Sequence, residues 1–340
     1  METAELEYEL PPELIAQKPA ERRDESRLLV YERATGAMRH RRFSDLRDEL
    51  AEGELVVIND TRVIPARLRL ERDGGGEAEV LLLERVGPDG VWEGLARPSR
   101  RLRAGQRLGP VELLESLGEG RWLLRLEGEP GGEAPLPPYI TEPLGDPERY
   151  QTVYAREEGS AAAPTAGLHF TPELLARLDV ERVTLHVGLD TFRPVETDTL
   201  EEHAIHTERF SLEPAAWQRI QAAERVLAVG TTTVRVLETV ASNTVLQGGA
   251  DPSKPPDSAG SGDLGRPSNT VLQGRTGLFI TPGYEFKRVN SLLTNFHLPR
   301  STLLALVMAF AGVEETRRLY RTAIEERYRF YSFGDAMLVR

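Results

Sequence analysis

The stretch "EPAAWQRIQAAERVLAVGTTTVRVLETVA", Glu213–Ala241, decides the fold class of this chain. Glu213–Glu224 reads as a helix, Arg225–Gly230 as a short buried strand, and Thr231–Ala241 as a second helix. The same alternation extends outward. Upstream, "RVTLHVGL" (Arg182–Leu189) reads as a strand, and "GLHFTPELLARL" as a helix with Thr171 at the N-cap and Pro172 in the first helical position. Downstream, "GLFITPGYEF" (Gly277–Phe286) reads as another strand. "LLTNFHLPRSTLLALVMAF" (Leu292–Phe310) carries a buried helix that Ser301 caps, and "EETRRLYRTAIEERY" (Glu314–Tyr328) a last helix. Strand and helix in alternation predict an α/β fold, with a parallel or mixed sheet covered by helices.

The texture from about Leu68 to Leu126 is different: "EAEVLLLERV", "GVWEGLARP", "RLGPVELLESL" and "GRWLLRLEG" are short strands separated by glycine turns. This predicts a compact β-barrel or sandwich, closed off by the proline- and glycine-rich Gly128–Pro143. The expected organisation is a discontinuous α/β catalytic domain, residues 1–67 and 150–340, with a small β-barrel domain, 68–149, inserted in it. The heptapeptide "SNTVLQG" occurs at Ser242–Gly248 and again at Ser268–Gly274, around a glycine-, proline- and serine-rich segment. It predicts a flexible insertion at about 242–274.

With 340 residues, 40% of them apolar, the chain is long enough for a substantial core. Cysteine is absent, which excludes disulfides, thiolate catalysis and cysteine-held metal sites. The longest apolar run, Leu303–Ala311, is far short of the ~20 residues that cross a bilayer, and "METAELEYELPP" lacks the pattern of an export signal. A cytoplasmic protein with no membrane partner is expected. The net charge of −12 disfavours indiscriminate nucleic-acid binding. Yet Gly94–Val111 holds Arg97, Arg100, Arg101, Arg103 and Arg107 with no acid, and a second cluster holds Arg39, Arg41 and Arg42. Each is either a solvated surface or a contact for a phosphate backbone.

Gly260, Gly262 and Gly265 satisfy G-x-G-x-x-G but lack the preceding strand and following helix that would cradle a pyrophosphate. His203 and His206 would share a face on a helix, but without a fuller ligand pattern no metal is expected there. Polar residues at strand ends are more informative: His186, Thr191 and Arg193 in "VTLHVGLDTFRPV", Thr231, Thr232 and Thr233 after "VLAVG", and "NFHLPRST" before a helix. Open α/β sheets bind ligands at such carboxyl ends. The threonines serve there or as helix caps. His169 and His297 are structural imidazoles or proton carriers, Asn295 offers a donor and an acceptor, and Asp60 or Asp335 could receive a hydroxyl.

Several segments in order, among them "VINDTRVIPARL", "ARPSRRLRAG", "GSAAAPTAGLHFTPELL", "AVGTTTVRVLE", "LLTNFHLPRSTLLALVMAF" and "YRFYSFGDAML", resemble the S-adenosylmethionine:tRNA ribosyltransferase-isomerase family of bacterial queuosine biosynthesis. The likeness runs from near Leu6 to Leu338, apart from the repeat-flanked loop. One loop reads "GTTTVR" where "GTTSVR" is common, a change that keeps the hydroxyl. The resemblance implies a Rossmann-like three-layer α/β domain with an inserted β-barrel. It implies transfer and isomerisation of the ribosyl moiety of S-adenosylmethionine onto 7-aminomethyl-7-deazaguanine at the tRNA wobble position. The products are then epoxyqueuosine-tRNA, adenine and methionine. S-adenosylmethionine is consumed as a donor, so no recycled cofactor is expected, and the chain is expected to be monomeric.

On that resemblance the expected catalytic residues are His169, His297 and Asp60, and the expected substrate-binding residues are Arg62, Thr165, Phe170, Thr232, Arg235, Tyr284, Asn295 and Ser301. Phe170 and Tyr284 are candidates for stacking on a base. Arg97, Arg100, Arg101 and Arg103 are the expected tRNA contacts. The alternatives are a methyltransferase that acts on RNA, leaving S-adenosylhomocysteine, and a noncatalytic tRNA-binding protein.

Overall fold

The computed structural model describes residues 1–72, 75–87, 89–188, 191, 193–242 and 271–340. The glycine motif at 260–265 and most of the expected flexible insertion lie outside the described residues.

In chain order the strands of the α/β body are β1 (Arg27–Glu32), β2 (Ala37–Arg42), β3 (Leu55–Asn59) and β4 (Thr61–Val63). Then come β5 (Arg67–Glu71), β6 (Glu77–Arg85), β7 (Val91–Arg97), β8 (Arg107–Leu108), β9 (Val111–Gly118) and β10 (Arg121–Leu126), all in the barrel-like sheet. The body resumes with β11 (Glu157–Ser160), β12 (Val180–Leu185), β13 (Glu208–Leu212), β14 (Val226–Val229), β15 (Leu272–Thr276), β16 (Ser291–Asn295) and β17 (Ala336–Val339). The helices are α1 (Leu46–Glu49), α2 (Pro172–Leu175), α3 (Pro214–Ala222), α4 (Thr231–Ala241), α5 (Thr302–Ala311) and α6 (Val313–Glu325).

A nine-stranded mixed sheet has the order β15-β13-β12-β3-β14-β16-β17-β1-β2. Its centre, β12-β3-β14-β16, is parallel. The C-terminal β17 lies antiparallel to β16 and parallel to β1. Strands covered on both faces need continuous apolar runs, and β3 and β14 are buried at every position. Alternate residues go to different cores. Leu55 and Val57 meet α4 and α5, whereas Val56 and Ile58 meet Phe43, Leu46, Phe170 and Leu174. The four longer helices all contribute to the first core; the second face is covered by the four-residue α1 and α2 and their neighbouring turns.

The six strands of the second sheet have the order β5-β6-β7-β10-β9-β8, antiparallel throughout. They curl around a separate core that includes Val80, Leu82, Trp92, Leu113 and Leu124. The sheet nearly closes on itself: a methyl group added at Gly109, in the β8–β9 turn, would lie 3.6 Å from Leu70 Cδ2 on β5.

Most expected elements form, including the caps. Thr171 Oγ1 accepts from Leu174 N at 3.2 Å and Ser301 Oγ from Leu304 N at 3.1 Å. Two expectations fail. "GLFITPGYEF" is not a strand: the edge strand is β15, whose Leu272–Gly274 belongs to the second heptapeptide copy. Beyond it Pro282–Gly283 turns the chain, with φ +98° at the glycine, and Glu238 of α4 takes the N–H groups of Lys287, Arg288 and Val289. A helix side chain thus does what a neighbouring strand would have done. His203 and His206 do not share a helical face either, because the 3-10 turn Leu200–Glu202 ends just before them.

Candidate active site

The parallel strands end side by side, β3 at Asn59, β12 at Leu185, β14 at Val229 and β16 at Asn295. Asn59 clips three of these ends together. Its Nδ2 donates to Leu185 O at 3.0 Å and to Thr232 Oγ1 at 3.3 Å, while its Oδ1 accepts from Leu185 N and Thr61 N. Asp60 is fully buried. Its Oδ1 accepts from Thr184 Oγ1 at 2.7 Å, and its Oδ2 pairs ionically with Arg156 at 3.1 Å without the alignment of a hydrogen bond. Burial raises the Asp60 pKa against the opposing pull of Thr184 and Arg156. None of the three threonines caps α4 with its side chain: Gly230, with φ +85°, holds the N-cap position, and the Thr233 hydroxyl donates to Val229 O.

Strand alternation separates the two expected proton carriers. Leu292 of β16 faces one core and Leu293 the other, so Thr294 and Asn295 point to opposite faces of the sheet. His297 bonds Thr294 Oγ1 through Nε2 at 2.7 Å, and its N–H donates to Tyr320 Oη at 2.9 Å. His169 sits on the other face, where Asn295 Nδ2 donates to its Nε2 at 3.3 Å. The proton therefore belongs on His169 Nδ1, which donates to Ser26 Oγ at 3.0 Å. Phe43 packs against this ring at 4.9 Å. Burial pushes both imidazoles down to about 3, so both are neutral.

The main cleft, of about 1380 Å³, opens between the two sheets. The barrel contributes Leu83, Glu84, Arg85 and Trp92; the body contributes His186, Arg193, Glu208, Arg235 and Phe279, with Thr302, Leu303 and Leu306 from α5. Arg275 of β15 bridges the junction, donating to both Glu84 carboxylate oxygens at 2.7 and 3.1 Å, and Arg209 of β13 adds a bond to Arg85 O. A smaller cavity of about 310 Å³ shares Thr191, Arg193 and Pro194 with the cleft and reaches Arg300 and Ser301.

Of the residues expected from sequence, Arg235 lines the cleft and Ser301 the smaller cavity; His169, His297, Asp60, Arg62, Thr165, Phe170, Thr232, Tyr284 and Asn295 line neither. Arg235 is nearly buried, paired with Glu208 and donating to Leu278 O and Thr276 O. Phe170 is fully enclosed, edge-on to Phe43 and Tyr154. Tyr284 donates to Glu238, Arg62 pairs with Glu148, and half-buried Thr165 opens a 3-10 turn.

In the sequence His186 is marked only as a polar residue at a strand end. In the fold its Nδ1 lies 2.9 Å from Thr61 Oγ1, inside the "NDTR" segment, and its ring faces the cleft. The juxtaposition of β3 and β12 creates this site, and only the register of two distant strands reveals it. Among the described residues no group of acids and histidines has the geometry to hold a metal, and no helix is long and apolar enough to cross a membrane.

Arg97, Arg100, Arg101 and Arg103 are all exposed at the β7–β8 end of the barrel, and among the described residues none of their guanidinium groups has a protein partner. In contrast Arg39 and Arg41 on β2 both pair with Glu49 at 2.7 and 2.8 Å. Charge left unpaired on an acidic chain marks the barrel cluster as the more available of the two.

A body with polar strand ends, a barrel-like insertion and a cleft between them is matched from end to end by the profile of a family described as "Queuosine biosynthesis protein", over residues 3–339. This chain belongs to the queuosine biosynthesis family. Among its relatives, the S-adenosylmethionine:tRNA ribosyltransferase-isomerase of Rubrobacter xylanophilus is 50% identical over 100% of this chain and 98% of its own length. The enzyme of the same name from Moorella thermoacetica is 50% identical with both chains covered in full. A crystal structure of S-adenosylmethionine tRNA ribosyltransferase from Thermotoga maritima is 35% identical, covering 99% of this chain and 100% of that one, with a TM-score of 0.54. Because the family match spans both sheets, the barrel is part of the queuosine family's own architecture.

Proposed function

We propose that this protein transfers and isomerises the ribosyl moiety of S-adenosylmethionine onto 7-aminomethyl-7-deazaguanine at the wobble position of tRNA, releasing adenine and methionine and leaving epoxyqueuosine. The observation that carries this reading is the full-length match: residues 3–339 to the family, and half of all positions identical to relatives named for this activity. The cleft supports it. Its volume of about 1380 Å³ exceeds the roughly 300–1,000 Å³ typical of a site for one small ligand, leaving room for a sulfonium nucleoside and an extruded base together. S-adenosylmethionine is consumed rather than recycled.

The parallel run β12-β3-β14-β16 favours a Rossmann-like, three-layer reading of the body, although one outer layer is reduced to short turns. The separate barrel core favours the division into residues 1–67 with 150–340, and 68–149. We place the protein in the cytoplasm as a monomer. The carboxyl-edge residues Asp60, Thr232, Asn295, His169 and His297 then hold the strand ends that shape the cleft, and Arg235 and Ser301 border the substrates.

Incubation with S-adenosylmethionine and tRNA bearing the aminomethyl base, followed by mass analysis, tests this reading. Adenine, methionine and epoxyqueuosine are the expected products. S-adenosylhomocysteine with methylated RNA would replace it with a methyltransferase, and tRNA binding without turnover with a noncatalytic protein.

The free arginines supply the tRNA contact. Arg97 lies four residues along β7 from Glu93 at the cleft wall, roughly 13 Å at about 3.3 Å per residue, so backbone next to a docked base reaches the patch. Replacing Arg100, Arg101 and Arg103 together with glutamine is expected to weaken tRNA binding and to lower the slope of log K against log salt by about 2–3. Titrations at several salt concentrations measure both, and an unchanged slope would remove the patch as a contact.

A further inference from the structure

We propose that His186 is the base that removes a proton from C5′ of S-adenosylmethionine, the carbon attached to the sulfonium sulfur. This rests on the function proposed above and names the residue that begins its chemistry.

The chain has six histidines, and three of them, His186, His203 and His206, line the cleft. The His186 ring is held on two sides. One side is the Nδ1 contact to Thr61 Oγ1 at 2.9 Å. The other is Gly159, which has a φ of +141°: a Cβ there would lie 3.0, 3.1 and 3.2 Å from Cε1, Nδ1 and Nε2, over the face of the imidazole. Glycine is thus needed at 159 for backbone reasons and for the ring's position alike. His203 instead sits on an irregular segment, edge-on to Phe279 at 5.7 Å.

The Thr61 hydroxyl also lies 3.4 Å from Glu157 O, an acceptor for its proton. With that bond made, Nδ1 carries the imidazole proton and donates to Thr61, and Nε2 presents its lone pair. Nε2 has no protein partner among the described residues. The surroundings keep the ring neutral: burial lowers its pKa below the ordinary 6.5 and Arg209 adds to this, while Glu157 and Glu84 pull the other way.

In the step, the C5′–H bond breaks and an N–H bond forms at Nε2. The electron pair stays on C5′ beside the positive sulfur, and the neutral imidazole becomes imidazolium. No electron acceptor is required. Thr61 is a positioning residue, since it acts by fixing the tautomer and orientation of His186.

The test follows deuterium entering C5′ from heavy water, alongside kcat and KM for S-adenosylmethionine, in the full-length protein with its tRNA substrate. His186→Ala is expected to lower kcat by about 100-fold or more with KM within about threefold, to abolish deuterium entry, and to regain it with added imidazole. His186→Gln, which keeps a side chain against Thr61 but no base, is expected to fold and bind S-adenosylmethionine normally yet exchange nothing. In the wild type kcat/KM is expected to fall on the acid side, with the midpoint below 6.5, as Nε2 protonates. Deuterium entry in either variant within about tenfold of wild type would overturn the assignment. Failure of the wild type itself to release adenine and methionine would instead overturn the function on which it rests.

Discussion

Glu238→Ala is expected to destabilise the protein by about 3 kcal/mol or more, with no contact to the cleft. The Glu238 side chain is fully buried on α4 and accepts from three successive backbone N–H groups, Lys287 at 2.8 Å, Arg288 at 3.0 Å and Val289 at 3.0 Å, and from Tyr284 Oη at 3.2 Å. Among the described residues no cation forms a salt bridge with it, so these four donors are what keeps the carboxylate tolerable inside the fold. Alanine removes the acceptor of all four: Val289 N lies in the interior, where a donor left without a partner costs roughly 1–3 kcal/mol, and the three part-buried donors add smaller losses. Glu238→Gln retains an acceptor oxygen and should lose about half as much. Urea unfolding of the three proteins decides the matter; an alanine variant within about 1 kcal/mol of wild type would show that the 284–289 loop finds other acceptors.

The second large effect belongs to Arg235, whose Nη1 pairs with Glu208 while Nε and Nη2 donate to Leu278 O and Thr276 O. Both side chains are over nine-tenths buried at the cleft wall. Breaking one half of such a pair leaves a charge in low dielectric, so Arg235→Ala is expected to cost about 3–5 kcal/mol. Removing both charges together, as in Arg235→Met with Glu208→Gln, should recover much of that loss, since Gly188 N keeps an amide oxygen as its acceptor. Equal stability of the single and double variants would mean that the guanidinium's two carbonyl bonds, not the ion pair, dominate.

The elements easiest to read from the sequence were those with local causes. Ser301 and Thr171 cap their helices through hydroxyls placed at fixed offsets, and the glycine-spaced strands of 68–126 became the barrel-like sheet. Gly277–Phe286 misled because its apolar, β-branched composition resembles a strand, whereas a carboxylate on a distant helix satisfies the chain just beyond it. The candidate site was half legible for a related reason. Thr232, Asn295, His169 and His297 do gather at the carboxyl ends of parallel strands, but the period of two sends Thr294 and Asn295 to opposite faces, and their histidines line neither the cleft nor the smaller cavity. The cleft depends on where a second sheet docks. That is a property of Glu84 meeting Arg209 and Arg275, each more than a hundred positions further along the chain and marked by nothing in its local sequence.

The position of β17 bears on how the molecule is made. The hairpin β1–β2, translated near the start, joins the large sheet only through a strand that includes Val339, since β17 fills the gap between β16 and β1. While the ribosome is still adding those residues, the early hairpin has no neighbour to pair with and the edge of β16 stays open. Assembly of the nine strands therefore waits for β17, and until that strand is made the chain carries an unpaired β16 edge that a cell short of chaperone capacity would leave unguarded.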